Sequence, residues 1–210
     1  MVNLNDVTEA LQKGEADKVN ELVKQALNEN ITPRNILEGG LIQGMSIVGE
    51  KFANHEMYIT EVLIAARAMQ AGMKVLKPKL TETGVKNIGK AVMGTVEGDL
   101  HDIGKHLVNM MLEGAGFEVI DLGADVSTDK FVEAVKEHKP NIIGMSAMIT
   151  TTMANMAKVI KALEANGLRD KVKVMVGGAP INQKYADQIG ADAYASDAVS
   201  AVGKAKTFLN

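Results

Sequence analysis

The stretch Asn141-Ile142-Ile143-Gly144-Met145-Ser146 decides how the second half of this chain folds. Its apolar run is almost continuous, which suits a strand covered on both faces rather than one with a wet side. Working outward, helical periodicity precedes it over residues 128–138 and follows it over 152–166. The same alternation extends in both directions. Strands are predicted at residues 90–95, 117–122, 172–176 and 191–195, and helices at 102–114, 181–189 and from Asp197 onward. Five strand–helix units in succession imply an α/β domain. Its core is a doubly wound, five-stranded parallel sheet of Rossmann-like or flavodoxin-like type, with strand order 2-1-3-4-5.

The first 78 residues follow a different pattern. Val7, Ala10 and Leu11 recur at helical spacing after a cap at Asn5 or Asp6, and Val19, Leu22, Val23, Ala26 and Leu27 do so over residues 15–28. Thr32-Pro33 pairs an N-cap with a first-turn proline, opening a helix through Leu37, Leu41, Met45 and Val48. A fourth helix begins at Thr60 and carries Val62, Leu63, Ala66, Met69 and Met73 on one side. The expected organisation is a four-helix bundle over residues 1–78, a linker at 79–89 rich in Lys, Thr, Glu and Gly, and the α/β domain over 90–210.

Composition removes several function classes. The chain has 210 residues, a net charge of −3 and no cysteine. Disulfides, thiolate nucleophiles and Cys-ligated metals are therefore excluded. The acidic balance argues against a nucleic-acid partner, which needs clustered Lys and Arg. No apolar run reaches the roughly 18 residues of a membrane span, and the N-terminus has no signal-peptide core. A cytoplasmic protein with neither membrane nor nucleic-acid partner is expected. The 13 methionines are read as core filler.

In a parallel sheet of this kind ligands bind beyond the carboxyl ends of the strands, near the point where strand order reverses. Three loops reach that edge. After the first strand comes Gly94-Thr95-Val96-Glu97-Gly98-Asp99-Leu100-His101-Asp102-Ile103-Gly104; after the third, Ser146-Ala147-Met148-Ile149-Thr150-Thr151-Thr152; after the fourth, Gly177-Gly178-Ala179-Pro180. Each has an ordinary reading when taken singly. His101 beside Asp102 could be a capping or solvated residue, Gly177-Gly178 a turn, and the Ser/Thr run a helix N-cap. The first loop lacks Gly-x-Gly-x-x-Gly and no Gly-Lys-Ser/Thr follows it, so neither dinucleotide nor P-loop phosphate binding is indicated.

Together, the spacing Asp-x-His-x-x-Gly at Asp99, His101 and Gly104, then Ser146-x-Met148, then Gly177-Gly178, resembles the signature of corrinoid-binding proteins. That family includes cobalamin-dependent methionine synthase, certain mutases and the corrinoid proteins of methyltransferase systems. Met148 stands where the family usually has Leu, a swap that keeps volume. The text from Gly94 to Lys105 and Val48-Gly49-Glu50-Lys51-Phe52 look like the methyltransferase branch, and the likeness runs from about Asn3 to Leu209.

The resemblance implies a cobalamin or related corrinoid bound base-off, with His101 as lower axial ligand of cobalt. Imidazole ligates through a neutral nitrogen, and its other nitrogen needs an oriented acceptor. Asp99 matches that acceptor, and Thr152 matches the hydroxyl that extends the relay in methionine synthase, where the residue is Ser. Gly98, Asp102, Ile103, Gly104, Ser146, Met148, Thr150, Gly177 and Gly178 complete the implied cofactor site, with the glycines admitting the nucleotide tail. The helical half is implied to cap the upper face of the corrin through Met45, Val48, Phe52, Met57, Tyr58 and Val62, with residues 79–89 as hinge. The function implied is a methyl carrier that is not itself a catalyst. Its partners would be a substrate-specific methyltransferase, an acceptor methyltransferase using tetrahydrofolate or coenzyme M, and a reductive activator. Cobalamin-dependent sensors and the cobalamin-binding subunits of mutases share the module and are the alternative readings.

Overall fold

In the computed structural model, which describes residues 2–83 and 87–209, the chain divides into two compact units. One is Met1–Asn87 with Gly114–Gly116; the other is Ile88–Glu113 with Phe117–Asn210.

The first unit is helical. It contains α1 (Leu4–Gln12), α2 (Ala16–Asn28), a run formed by α3 (Pro33–Ile36), a π-helical turn (Leu37–Ile42) and α4 (Gln43–Ala53), and then α5 (Ile59–Glu82). The cap of α1 is Asn3, whose side chain accepts from the N–H of Asn5, so the helix starts earlier than the expected Asn5 or Asp6. Thr32 and Pro33 act as predicted, with the Thr32 hydroxyl accepting from the N–H of Asn35. The π turn was not foreseen. It widens the helix and frees carbonyls, and the buried Thr8 hydroxyl on α1 donates to the Gly40 carbonyl at 3.0 Å. Val7, Leu11, Val19, Val23, Leu41, Val48, Val62 and Leu76 are buried and form core in this unit.

The bundle does not stop at Pro78. Proline lacks the N–H that would close the bond to Lys74, so the sequence reads as a helix end. The structure instead carries α5 through Pro78 to Glu82, with Leu76 and Leu80 both buried. Apolar burial on both sides of the proline offsets one missing hydrogen bond. Of the expected 79–89 linker, 79–82 are therefore helical and 89 begins a strand, while 84–86 lie outside the described residues.

The second unit is a parallel sheet in the order β2-β1-β3-β4-β5, the predicted topology. Its strands are β1 (Gly89–Thr95), β2 (Phe117–Asp121), β3 (Ile142–Ser146), β4 (Lys173–Gly177) and β5 (Ala193–Ala195). The helices are α6 (Ile103–Gly114), α7 (Thr128–His138), α8 (Thr150–Ala165), α9 (Gln183–Ile189) and α10 (Ala198–Thr207). Ile142, Ile143 and Met145 are buried, as a strand covered on both faces requires, whereas β2 at the edge is only partly covered. In register, Thr95 stands beside Ser146 and Ser146 beside Gly177. The last residues of three adjacent strands thus form one row, and their loops leave the sheet at a common edge.

Candidate functional site at the carboxyl edge of the sheet

Asp99 is the centre of the group at that edge. Its side chain is fully buried, and both oxygens are saturated by donors from two loops. Oδ1 accepts from the backbone N–H of His101 at 3.1 Å and faces His101 Nδ1 at 2.8 Å. Oδ2 accepts from the N–H groups of Met148 at 2.7 Å and Ile149 at 3.3 Å. The Thr152 hydroxyl, also buried, lies 2.7 Å from Oδ2 and 2.9 Å from the Ile149 carbonyl, so its single proton has two acceptors to serve. Burial by itself pushes the Asp99 carboxyl up. The N–H of Met148, the Thr152 hydroxyl and the two donors of His101 outweigh it and hold the group well below the usual carboxylate range.

An ionised Asp99 accepts only, so Nδ1 of His101 must be the protonated ring nitrogen. That leaves Nε2 as the ring nitrogen available to a ligand, with no protein hydrogen-bond partner among the described residues. The His101 side chain is 60% exposed. His106 is different: Nε2 lies 2.9 Å from Asp102 and Nδ1 3.3 Å from Asp121, so neither ring nitrogen is spare. Among the described residues no three His, Asp or Glu side chains are grouped to hold a metal ion. His101 can offer one axial bond and nothing more.

Around His101 the surface is apolar against expectation for a protein exterior. Leu100 is 75% exposed, Ile103 73% and Met148 51%, and Ile149 is exposed beside them. Large side chains left in water by a folded chain point to a ligand or partner that covers them. Gly104, in the first turn of α6, would find nothing within 4 Å of a Cβ. No close packing within the chain requires glycine there, which leaves room for a group from outside. A single ring nitrogen backed by a buried carboxylate, with apolar surroundings and an open glycine, fits an apolar macrocycle carrying a metal.

The other residues expected at the site are placed as follows. Ser146 and Thr95 hydroxyls share a hydrogen bond at 2.8 Å. Gly98 has φ +80° and lies exposed in the first loop. Gly178 has φ +125°, and a Cβ there would stand 1.9 Å from the Ala147 carbonyl oxygen; a Cβ at Gly177 would stand 3.0 Å from that of Ala195. That close approach to Ala147 is by itself a reason for glycine at 178. Asp102 pairs with His106. Thr150 is exposed on the first turn of α8 and stands outside the hydrogen-bonded group. The Ser/Thr run is not an N-cap in the usual sense, because Ile149 holds the cap position without a side-chain bond and Thr152 is spent on Asp99. In the helical unit Met45, Val48 and Val62 are buried, Phe52 and Met57 half-buried, and Tyr58 is 79% exposed.

Three contributors were missed. Lys105 is almost fully buried and its ammonium meets Asp121; burial pushes the Asp121 carboxyl up, and Lys105, the Gly123 N–H and His106 bring it below its usual value. Asn155 on α8 donates to the Glu97 carbonyl at 2.7 Å. The loop after β2 joins the site as a fourth loop. The N–H of Thr95 donates to Gly123, that of Val126 to Thr95, and that of Asp125 to Asp99. A left-handed residue in the five-residue gap Gly123–Ser127 was the available signal, and Asp125 is a residue type that tolerates it.

The B12 binding domain family matches residues 89–203, and a second family of the same description matches 4–77. The "Trimethylamine corrinoid protein" of Methanosarcina barkeri is 45% identical over 204 residues, covering 96% of this chain and 94% of that one. The "Dimethylamine corrinoid protein 1" of Methanosarcina mazei is 48% identical over 209 residues, covering 98% and 95%. Among solved structures, the methanol:cobalamin methyltransferase complex MtaBC from Methanosarcina barkeri is 30% identical with a TM-score of 0.88, covering 98% of this chain and 79% of that one.

Proposed function

Since the chain belongs to the B12 binding domain family, we propose that it is a corrinoid-bearing methyl carrier, with His101 Nε2 as the lower axial ligand of cobalt. The observation that carries this reading is Nε2, without a protein partner among the described residues, on a ring whose Nδ1 is fixed by a buried, ionised Asp99. Bound corrinoid supplies a cobalt atom able to accept and release a methyl group. The chain's own residues do the rest. Asp99 keeps the proton on Nδ1 and so keeps Nε2 basic and aimed. Thr152, whose hydroxyl lies within reach of both Asp99 and the Ile149 carbonyl, would help hold the Asp99 carboxylate in place behind the ring. Leu100, Ile103, Met148 and Ile149 would cover an apolar cofactor beside His101, and Gly104 and Ser146 would leave room for its nucleotide tail. Phe52, Met57 and Tyr58 are the surface of the helical unit open to an apolar ligand.

No side chain here is suited to activating a methyl donor, so loading and unloading fall to partners. These are a substrate-specific methyltransferase, an acceptor methyltransferase serving tetrahydrofolate or coenzyme M, and a reductive activator. The names of the two corrinoid relatives favour a methylated amine as donor, and their near-equal identity does not choose between di- and trimethylamine. The structure complexed with a methyltransferase supports the first partnership. No helix among the described residues is long and apolar enough to cross a membrane.

The test is the visible and EPR spectrum of the corrinoid-loaded protein. Wild type should show nitrogen coupling from a histidine ligand. His101→Ala should retain corrinoid, bound more weakly, and lose that coupling. An unchanged spectrum in His101→Ala would sink the ligand assignment, and absence of corrinoid bands after reconstitution would sink the function.

A further inference from the structure

Asp125 holds a left-handed backbone conformation in the loop after β2. Its φ is +53°, in the left-handed region where a Cβ is disfavoured and glycine is the ordinary occupant. The residue is exposed, so its side chain fills no core. Exposed Asn30, His55 and Lys139 share this conformation, so what sets Asp125 apart is where its hydrogen bonds go. Among the described residues, both of its hydrogen bonds go to the loop that carries His101. The carboxylate Oδ1 accepts from the N–H of Gly98 at 2.7 Å, and its own N–H donates to the carbonyl of Asp99 at 3.0 Å. The left-handed turn is what lets the side chain and the main chain of one residue face the same two-residue segment.

The segment so gripped stands just before the axial residue. The Asp99 carboxylate is fixed by donors from the loop after β3, but those bonds do not fix the Asp99 main chain. The Asp99 N–H donates to the Val96 carbonyl, Asp125 holds the Asp99 carbonyl from the β2 side, and Asn155 anchors Glu97 two steps earlier. Gly98, itself at φ +80°, is the most pliable link between these anchors. Released, its peptide could swing and carry His101 with it, moving Nε2 although the Asp99–His101 pair stayed intact.

We infer that Asp125 is a positioning residue for His101: its carboxylate on Gly98 and its N–H on Asp99 lock the loop backbone and so set where Nε2 points. This rests on His101 being the cobalt ligand. Among the described residues, Asp125 makes no hydrogen bond to the His101 ring and acts on it only through the backbone of Gly98 and Asp99.

Two variants separate this role from general stability. Asp125→Gly relieves the left-handed strain and removes the acceptor; Asp125→Asn keeps an acceptor oxygen and tolerates the same φ. In the cofactor-free protein, Asp125→Gly should melt no lower than wild type while the Gly98 amide exchanges with solvent about tenfold faster, in line with loss of one local bond. Loaded with corrinoid, it should show a mixture of histidine-on and histidine-off signals by EPR in the cobalt(II) form. Asp125→Asn should match wild type in all three measurements. Faster Gly98 exchange with full histidine coupling would overturn the positioning role, as would an Asp125→Asn that behaves like Asp125→Gly. If wild type itself shows no histidine coupling, the ligand reading fails, and that failure is told apart by the Gly98 exchange in cofactor-free protein, which does not depend on corrinoid.

Discussion

Asp99 is the residue on which most of the site converges, and its charge is affordable only because every lone pair has a donor. A buried ion that loses one partner keeps its desolvation cost. Thr152→Val removes the hydroxyl at constant shape and should cost about 1.5–3 kcal/mol, the range for a hydrogen bond to a charged group. Thr152→Ser restores a hydroxyl with a freer rotamer and should recover most of it. Urea unfolding of the cofactor-free protein measures both, and equal stability for the two variants would show that the hydroxyl does not serve Asp99. At this scale the sequence exposes what is close in number. Asp99 and His101 sit two apart in one motif. Thr152 lies 53 residues from Asp99 and could be reached only through the family resemblance. Asp125 lies 27 from Gly98 and Asn155 58 from Glu97, and no local pattern joins such pairs. They become partners only once parallel strands bring the loops to one edge.

Elements were most legible where burial is symmetrical. β1, β3 and β4 carry unbroken apolar runs, and all five strands start or stop within two residues of their expected ends. Elements were least legible where a distant packing contact overrides a local rule, as at Pro78 within α5 and in the π turn at Leu37–Ile42. The last helix is a case in which local rules suffice. Asp197 caps α10, accepting from the N–H of Ser200 at 2.7 Å, while its own N–H donates to the Ser200 hydroxyl. Burial pushes its carboxyl up, but the Ser200 N–H, the Ser196 hydroxyl and the Val199 N–H prevail and lower it. A carboxyl lowered by folding contributes stability that is complete above its unfolded pKa, near 4, and is lost as pH falls through the folded value. Asp197→Ala should cost about 1 kcal/mol at neutral pH. Asp197→Asn should keep the cap yet flatten part of the acid-side decline, seen as a shallower loss of stability between pH 5 and 3 in parallel denaturant titrations. An Asn variant as acid-labile as wild type would contradict the assignment.

For the whole molecule, two units with separate cores predict unfolding that need not be a single cooperative step. The proposed ligand residues lie in the α/β unit, so corrinoid should raise the melting of that unit in particular. Linkage sets the scale: free ligand at 1,000 times its Kd adds about 4 kcal/mol. Calorimetry with and without corrinoid would show the shift, and a transition that stays put would mean the α/β unit does not hold the ligand.

The exposed quartet of Leu100, Ile103, Met148 and Ile149 has a consequence for the life of the protein before it meets its cofactor. A newly translated chain folds with this sticky patch in water, and crowded neighbours offer the same patch in return. If bound corrinoid covers this patch, the empty form is the one that should self-associate, and sedimentation of empty and loaded protein side by side checks it.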